Sequence, residues 1–460
     1  MKRKLLIYFI AVFCLAAGCS KSSLDTPEEN ITPPQKDTVY VNLPKDSCNN
    51  YFFSVNTCPG EICSSEMNVS WGVKLNTEYC IVYLMDETGK ILNHTKLPAS
   101  KAEKCTVYDG IYSKKANGDN FYEDAKFLKY RYTLTPLSSD RKYSYRITSH
   151  WTDSQGRKVS ATSDTYSLKT AGADSWTACI ISDFHSYPPL PGRLSSAMKM
   201  VETVNNYSTG KNGKGFDWVL HLGDVVAWGG SWSFWNIMYR EKPFKNWMWA
   251  GLNGNHDNMT RQNAYSNKFF KYATANPLNG YEGEEGVCYS FTYGNTLFVM
   301  LNNEDMGTSA GLQKAQAWVR QTLSRSSAKF KVVCEHYQWF YGGSGSTSQY
   351  SRWKDLFDEC GVDLALGANN HIYVRSHKLY GGNVVESGKG TVYLQTPSSD
   401  NDRGEDLIGE LQYNQDLIAY RWNEGPKTIG ALLMEVNPNQ ITVTLLDRNG
   451  QALDNDTISK

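Results

Sequence analysis

Trp247-Met248-Trp249-Ala250-Gly251-Leu252-Asn253-Gly254-Asn255-His256-Asp257 is an apolar strand that runs out into a polar turn, and the reading of that turn decides the fold. In consecutive positions the turn offers a neutral carbonyl oxygen on Asn255, an imidazole on His256 that can donate to an anion, and an orienting carboxylate on Asp257. Loops at strand ends often carry function. Taken alone, the tetrapeptide is equally well a plain turn with a solvated His-Asp pair. Its company separates the two readings.

Four further apolar strands end in residues that can hold a cation. Trp176-Thr177-Ala178-Cys179-Ile180-Ile181-Ser182 leads to Asp183-Phe184-His185, and Asp217-Trp218-Val219-Leu220-His221-Leu222 leads to Gly223-Asp224. Lys331-Val332-Val333-Cys334-Glu335 ends at His336, and Val362-Asp363-Leu364-Ala365-Leu366 ends in Gly367-Ala368-Asn369-Asn370-His371. Each piece alone is an ordinary loop or core histidine. Their joint occurrence at successive strand exits is not. Asp183 and His185, two apart, leave an extended segment on the same face and can grip one ion. Oxygen and nitrogen donors without thiolate suit zinc, manganese or iron. A pair of ions about 4 Å apart needs a bridging carboxylate, for which Asp224 is the candidate, and Gly223 lets the backbone pass close to them. Helical spacing marks 193–207, with Leu194, Ala197, Met198, Val201 and Val204 on one face, and also 312–324 and 353–360. Segments 287–293 and 295–302 read as paired strands, and 391–395, 428–436 and 440–446 as a β-rich tail.

In this order, Asp-x-His, Gly-Asp, Gly-Asn-His-Asp, an isolated His and a terminal Asn-x-His resemble the signature of calcineurin-like metallophosphoesterases over 176–436. The run from Val362 to Arg375 is similar, without a gap, to the Val-Asp-Leu-x-Leu-x-Gly-His-x-His-x-Tyr-x-Arg of the purple acid phosphatase branch. The resemblance implies an α/β catalytic domain over 171–460, a four-layer β-sandwich flanked by helices. It implies one divalent ion held by Asp183, His185, Asp224 and His371, and a second held by Asp224, Asn255, His336 and Asn369. Manganese, zinc and iron are the candidate metals. His256 and Asn255 would face the substrate phosphate, His256 acting catalytically with Asp257 orienting its ring. A metal-bound hydroxide would then attack a small-molecule phosphomonoester. A phosphodiesterase on the same site is the nearest alternative, and a catalytically weak envelope binding lipoprotein the next.

Two positions depart from the family. Ala368-Asn369 stands where Gly-His is usual, so the second ion would exchange an imidazole for an amide oxygen and prefer harder metals such as manganese or magnesium. Ala227 stands where purple acid phosphatases place a tyrosine three residues after the bridging Asp, while His185 supplies a ligand they lack. The expected site is therefore colourless. Trp228, Trp232, Trp235, Trp339 and Tyr341 would wall a substrate pocket or pack between domains. Arg375 and Arg403 would bind a second charged group of the substrate or pair with Asp400 and Asp402. The polar stretch 397–407 would border the site.

The remainder of the chain positions this domain. Residues 1–18 combine a basic start with an apolar run too short for a bilayer, which needs about 20 residues, and read as a secretory signal. Leu15-Ala16-Ala17-Gly18-Cys19 resembles a lipoprotein cleavage box, which implies a lipid anchor on Cys19 and a bacterial envelope location, at the outer membrane. Residues 19–45, rich in Ser, Thr, Pro and Glu, read as a flexible tether. Over 46–170, alternating runs such as Glu66–Trp71, the hairpin signal Asp86-Glu87-Thr88-Gly89-Lys90, and Leu137 six residues before Tyr143 predict an all-β sandwich with a tyrosine corner. This half resembles the fibronectin type III-like domain that precedes the catalytic domain of purple acid phosphatases. Cys48, Cys58, Cys63, Cys80 and Cys105 cluster early and suggest disulfide bridging, whereas Cys179 and Cys334, inside apolar strands, read as buried thiols. Lys plus Arg equal Asp plus Glu at 47 each, so no global field recruits nucleic acid.

Overall fold

The computed structural model describes residues 52–109, 123–259, 266–340, 349–400 and 415–460. The expected signal segment, the 19–45 tether, Cys19, Cys48, Tyr341, Asp402 and Arg403 lie outside the described residues.

Short alternating strands pair first into two antiparallel sheets. One runs Phe53–Pro59, Met67–Val73, Glu123–Leu134, Glu103–Asp109, and the other Ile91–Pro98, Thr77–Asp86, Lys142–Thr152, Lys158–Thr162, with Tyr166–Lys169 also on Lys142–Thr152. Their inner faces share one core in which Trp71 stacks on Tyr130 at 5.2 Å and Tyr145 on Tyr166 at 5.3 Å. The expected hairpin forms because Asp86 Oδ1 accepts from Thr88 N and Lys90 N and Gly89 takes φ 83°. At the expected corner, Tyr143 Oη accepts from Ser138 N at 2.9 Å. The predicted bridging fails among the described cysteines. Cys58, Cys63, Cys80 and Cys105 are free and buried, and burial pushes Cys58 and Cys80 up to about 11. They serve as small apolar side chains, Cys58 donating to Asn56 Oδ1 and accepting from Ala275 N.

Parallel pairing then takes over. Trp176–Ile181, Trp218–His221 and Trp249–Gly251 are parallel neighbours in a sheet completed by Gly430–Val436, Gln440–Asp447 and Ala452–Ser459. In the second sheet Thr296–Met300, Phe330–Cys334, Leu364–Gly367 and Thr391–Gln395 run parallel, with Tyr289–Tyr293 at one edge and Tyr373–Tyr380 beside Thr391–Gln395. Alternation along each strand divides the burial. Trp218, Leu220, Phe298, Met300, Val332 and Cys334 face the space between the sheets. Val219 and Leu433 face the helix Gly192–Asn212, which buries Leu194, Ala197, Met198, Val201 and Val204 at helical spacing. Val299, Val333 and Ala365 face the helices Ser309–Arg325 and Tyr350–Cys360. The result is the expected four layers, helix, sheet, sheet, helix. Caps set the helix limits: Thr308 Oγ1 accepts from Gly311 N at 3.0 Å, and Gly213 and Gly361 close their helices at φ 74° and 66°.

The sandwich packs on this domain through polar contacts to the carbonyls at the end of the helix Lys268–Ala273. Asn56 Nδ2 donates to Ala273 O at 2.6 Å, and Lys129 Nζ donates to Thr274 O at 2.6 Å and to Lys271 O. Phe127 stacks on Trp232 at 4.8 Å, so of the two roles open to Trp232 the structure selects domain packing.

Candidate metal centre

Parallel strands deliver their carboxyl ends to one edge, where open α/β sheets bind ligands. The exits of both sheets meet there. Asp183, His185 and Asp224 follow strands of the first sheet, and His336, Asn369 and His371 follow strands of the second. Each group, Asp183-His185-His371, His185-Asp224-His256 and Asp183-Asp224-His336, presents ligand atoms within 4.8 Å of one another. Asp183, His185 and Asp224 each belong to two of them, so the groups merge into one cluster.

The backbone is bent to achieve this. Asp183, His185, Asp224, Asn369 and His371 all occupy the left-handed region, at φ 53°, 42°, 50°, 70° and 57°. For residues with a Cβ this conformation is sparsely populated and concentrates at functional sites. Gly223 at φ 96° and Gly254 allow the close approach, since a Cβ on Gly254 would overlap Asp224 Oδ1 and N.

Ring orientation is fixed from behind. His336 Nδ1 donates to Leu222 O at 2.7 Å and His185 Nδ1 to Asp183 O at 2.9 Å, so both Nε2 atoms point inward. There, Asp224 Oδ2 lies 3.2 Å from His185 Nε2 and 3.3 Å from His336 Nε2, while Asp183 Oδ1 lies 3.5 Å from His371 Nε2. Burial alone would raise Asp224, but the charges of His336 and His256 and hydrogen bonds from His185 and His336 hold it well below the usual carboxylate range. Burial opposes charge on His336, yet Asp224 and Asp183 push it up to about 10. Two carboxylates therefore create a demand for positive charge. Asp183 Oδ1 and Asn255 Oδ1 are buried with no hydrogen-bond partner, which fits donors that a divalent cation would complete.

His256 stands at this centre. Its backbone N donates to Asp224 Oδ1 at 2.8 Å, its ring meets His185 edge-on at 4.7 Å, and Trp228 lies 6.2 Å away. Its Nδ1 donates to Ala227 O at 2.9 Å. That contact corrects the role expected of Asp257. Both Asp257 oxygens are taken by backbone, Oδ1 by Val225 N and Val226 N at 3.0 Å and Oδ2 by Gly254 N at 2.8 Å. Asp257 ties the Asp224 loop to the Asn255 loop, and the Ala227 carbonyl orients the His256 ring. Burial, then repulsion from Asp224, pushes Asp257 up to about 8.

Arg375 requires a second correction. Its guanidinium binds Asp454 through two hydrogen bonds at 2.7 and 3.0 Å and lies 3.3 Å from Asp456, which leaves it committed to the C-terminal strand instead of a substrate. Asn369 sits beside the centre with its backbone N 3.3 Å from Asp183 Oδ2. Trp235 and Trp339 are fully buried, Trp339 against Phe357 and Tyr393, so Trp228 is the tryptophan beside a site residue. The described part of 397–407 does border the site: Ser398 Oγ donates to Asp183 O at 2.9 Å, and Asp400 Oδ2 is 4.0 Å from His185 Nδ1.

Sequence reasoning missed the supports. Asn303 Oδ1 accepts from His336 N at 2.8 Å while its Nδ2 donates to Glu335 Oε2 at 2.8 Å, and burial pushes Glu335 up to about 8. The signal was present, because Asn302-Asn303-Glu304 follows an apolar strand as the other site residues do.

Residues 177–373 match the family model described as calcineurin-like phosphoesterase. Two strains of Mycobacterium tuberculosis each carry an uncharacterized protein 26% identical over 200 residues, 36% of this chain and 37% of the relative. The chain thus spans 37% of the length of the curated relatives it matches. Among solved structures, the purple acid phosphatase PPD1 from yellow lupin (Lupinus luteus) seeds has TM-score 0.68 at 16% identity, covering 89% of this chain and 74% of that one. PhoD has TM-score 0.54 at 14% identity, covering 89% and 93%. At these identities the likeness is one of fold.

Proposed function

Because residues 177–373 are a calcineurin-like phosphoesterase domain, we propose that the chain is a metal-dependent phosphohydrolase of purple acid phosphatase-like type that cleaves phosphomonoesters with two divalent cations. One observation carries the reading: strained strand exits from two sheets converge on Asp183 and Asp224, each shared between groups of ligand atoms. Asp183, His185, Asp224 and His371 would hold one ion, and Asp224, Asn255, His336 and Asn369 the other. When bound, the ions would supply Lewis acidity and a water acidic enough to act as nucleophile near neutral pH. The side chains do the rest. Asp224 neutralises and spaces the cations. Asn255 and His256 face the phosphate, and His256, whose Nδ1 is anchored on Ala227 O, directs Nε2 at developing negative charge on the ester. Ala227 contributes only this carbonyl where a tyrosine would give ferric iron its colour, so iron-loaded protein is expected to lack a visible charge-transfer band.

The 52–169 sandwich is read as a fibronectin type III-like module, and Cys19 as the lipid anchor that places the enzyme at the cell envelope. Fatty-acid labelling lost in Cys19→Ala would support the anchor, and unchanged labelling would remove it. The activity is tested by elemental analysis beside hydrolysis of paired chromogenic mono- and diesters with manganese, zinc or iron. Two equivalents of metal with turnover, both lost in Asp224→Ala, support the proposal. Faster diester cleavage would make it a phosphodiesterase, and metal without turnover a binding protein.

A further inference from the structure

An asparagine amide has two unlike ends, one that binds cations and one that repels them. Which end Asn369 turns toward the metal centre is decided by what holds the other. Asn369 Nδ2 donates to Gln338 Oε1 at 2.8 Å, and Gln338 is only 6% exposed. Gln338 follows His336 by two residues, and its backbone carbonyl accepts from Gln349 N at 3.2 Å, which holds it beside the strand exit that supplies His336. On its other side Asn369 is held by the bond from its N to Asp183 Oδ2 and by left-handed backbone at φ 70°. Asparagine is among the residues with a Cβ that tolerate this conformation best.

We infer that Gln338 is a positioning residue: by accepting a hydrogen from Asn369 Nδ2 it turns Asn369 Oδ1 toward the second cation and so makes that position an oxygen-rich, hard-metal site. The inference rests on the two-ion reading above. It explains how a chain with Asn369 in place of an imidazole retains a second position, because an amide whose NH2 had no acceptor would have to be oriented by the cation itself, at a cost in affinity. Only one member of the pair is in the ligand shell. Gln338 acts through Asn369 and touches neither ion nor substrate.

The experiment measures manganese stoichiometry and affinity, by elemental analysis and by the paramagnetic resonance signal of exchange-coupled against isolated manganese, in the full chain and two variants. Gln338→Glu keeps an acceptor for Asn369 Nδ2, and Gln338→Leu removes it. The expected result is two equivalents with a coupled signal in the unaltered protein and Gln338→Glu. In Gln338→Leu the second equivalent should bind about 10- to 100-fold more weakly, the range for outer partners of metal ligands, with the first unchanged. Equal loss in both variants would mean that Gln338 is needed for packing alone, and full binding in Gln338→Leu would mean that Asn369 orients itself; either overturns the inference while leaving the two-ion reading standing. A single equivalent in the unaltered protein would overturn both.

Discussion

Raising the pH should tighten cation loading by about tenfold per unit, because the second ion must evict a proton. Asp224 and Asp183 push His336 up to about 10, with its Nε2, the atom that would ligate, facing both carboxylates at 3.3 and 3.9 Å. At pH 7 nearly every metal-free molecule therefore carries that proton. The 3 units between solution pH and His336, at about 1.4 kcal/mol each, give about 4 kcal/mol by which the proton weakens binding at pH 7. Affinity should climb as pH rises toward 10 and level off above it. Isothermal titration of manganese at pH 6.5, 7.5 and 8.5, in buffers of different ionisation enthalpy, reads both the affinity and the protons released. About one proton per second-site ion is expected from His336. A further fraction should come from Asp257, pushed up to about 8, because cations beside Asp224 would cancel the repulsion that helps keep it protonated. In His336→Asn the binding that remains should lose the part of this slope that His336 supplies and keep only the smaller Asp257 part. A pH-independent affinity with no proton release would refute the reasoning, since it would mean that the carboxylates do not share a proton with His336.

Other outcomes follow from the same geometry. In metal-free protein, burial and His336 push His221 down to about 3, so its contribution to stability is present above its unfolded value near 6.5 and lost as pH falls toward 3. His336, raised, does the reverse: its contribution is full below about 6.5 and is lost as pH rises through 10. Urea unfolding of His221→Leu between pH 4 and 7 should accordingly show a shallower acid loss than the parent. Gly254→Ala should cost about 1–3 kcal/mol of stability and most of the metal content, because the added methyl displaces Asp224. Arg375→Ala should lower stability by about 2–3 kcal/mol by leaving Asp454, whose side chain is 8% exposed, with the Tyr373 Oη hydrogen bond but without its cation, while kcat/KM stays unchanged; a specific loss of activity would restore Arg375 to the substrate.

The individual strands and their exits are legible because alternation and short polar turns are local properties, whereas the four-layer stacking follows only from the family resemblance. Asp183, His185, Asp224 and His371 each follow directly from a strand that can be read within ten residues. What escaped depends on distance in the chain. Asn303 reaches back from Glu335 and His336 across |i−j| of 32 and 33, and Gln338 meets Asn369 across 31, separations that no periodicity encodes. Asp257 was placed correctly beside His256 but given a neighbour's task, because adjacency in sequence does not tell which way a carboxylate leaves a tight turn. Arg375 hides its partners for a similar reason: Asp454 and Asp456 lie on the final strand, 79 and more residues away. Cys58, Cys63, Cys80 and Cys105 are close in sequence and are separate buried thiols in the folded sandwich.

The left-handed backbone at Asp183, His185, Asp224, Asn369 and His371 has a consequence for how this edge could change over generations. A residue with a Cβ in that region costs up to about 1–2 kcal/mol, least for asparagine and aspartate, so five together consume a sizeable share of the net stability of an ordinary domain, about 5–15 kcal/mol. Glycine would relieve every one of them. Mutational drift toward a sturdier fold would thus run directly through the loss of the ligand side chains, and a chain that keeps aspartate and histidine at these positions carries a backbone cost that cation binding would offset.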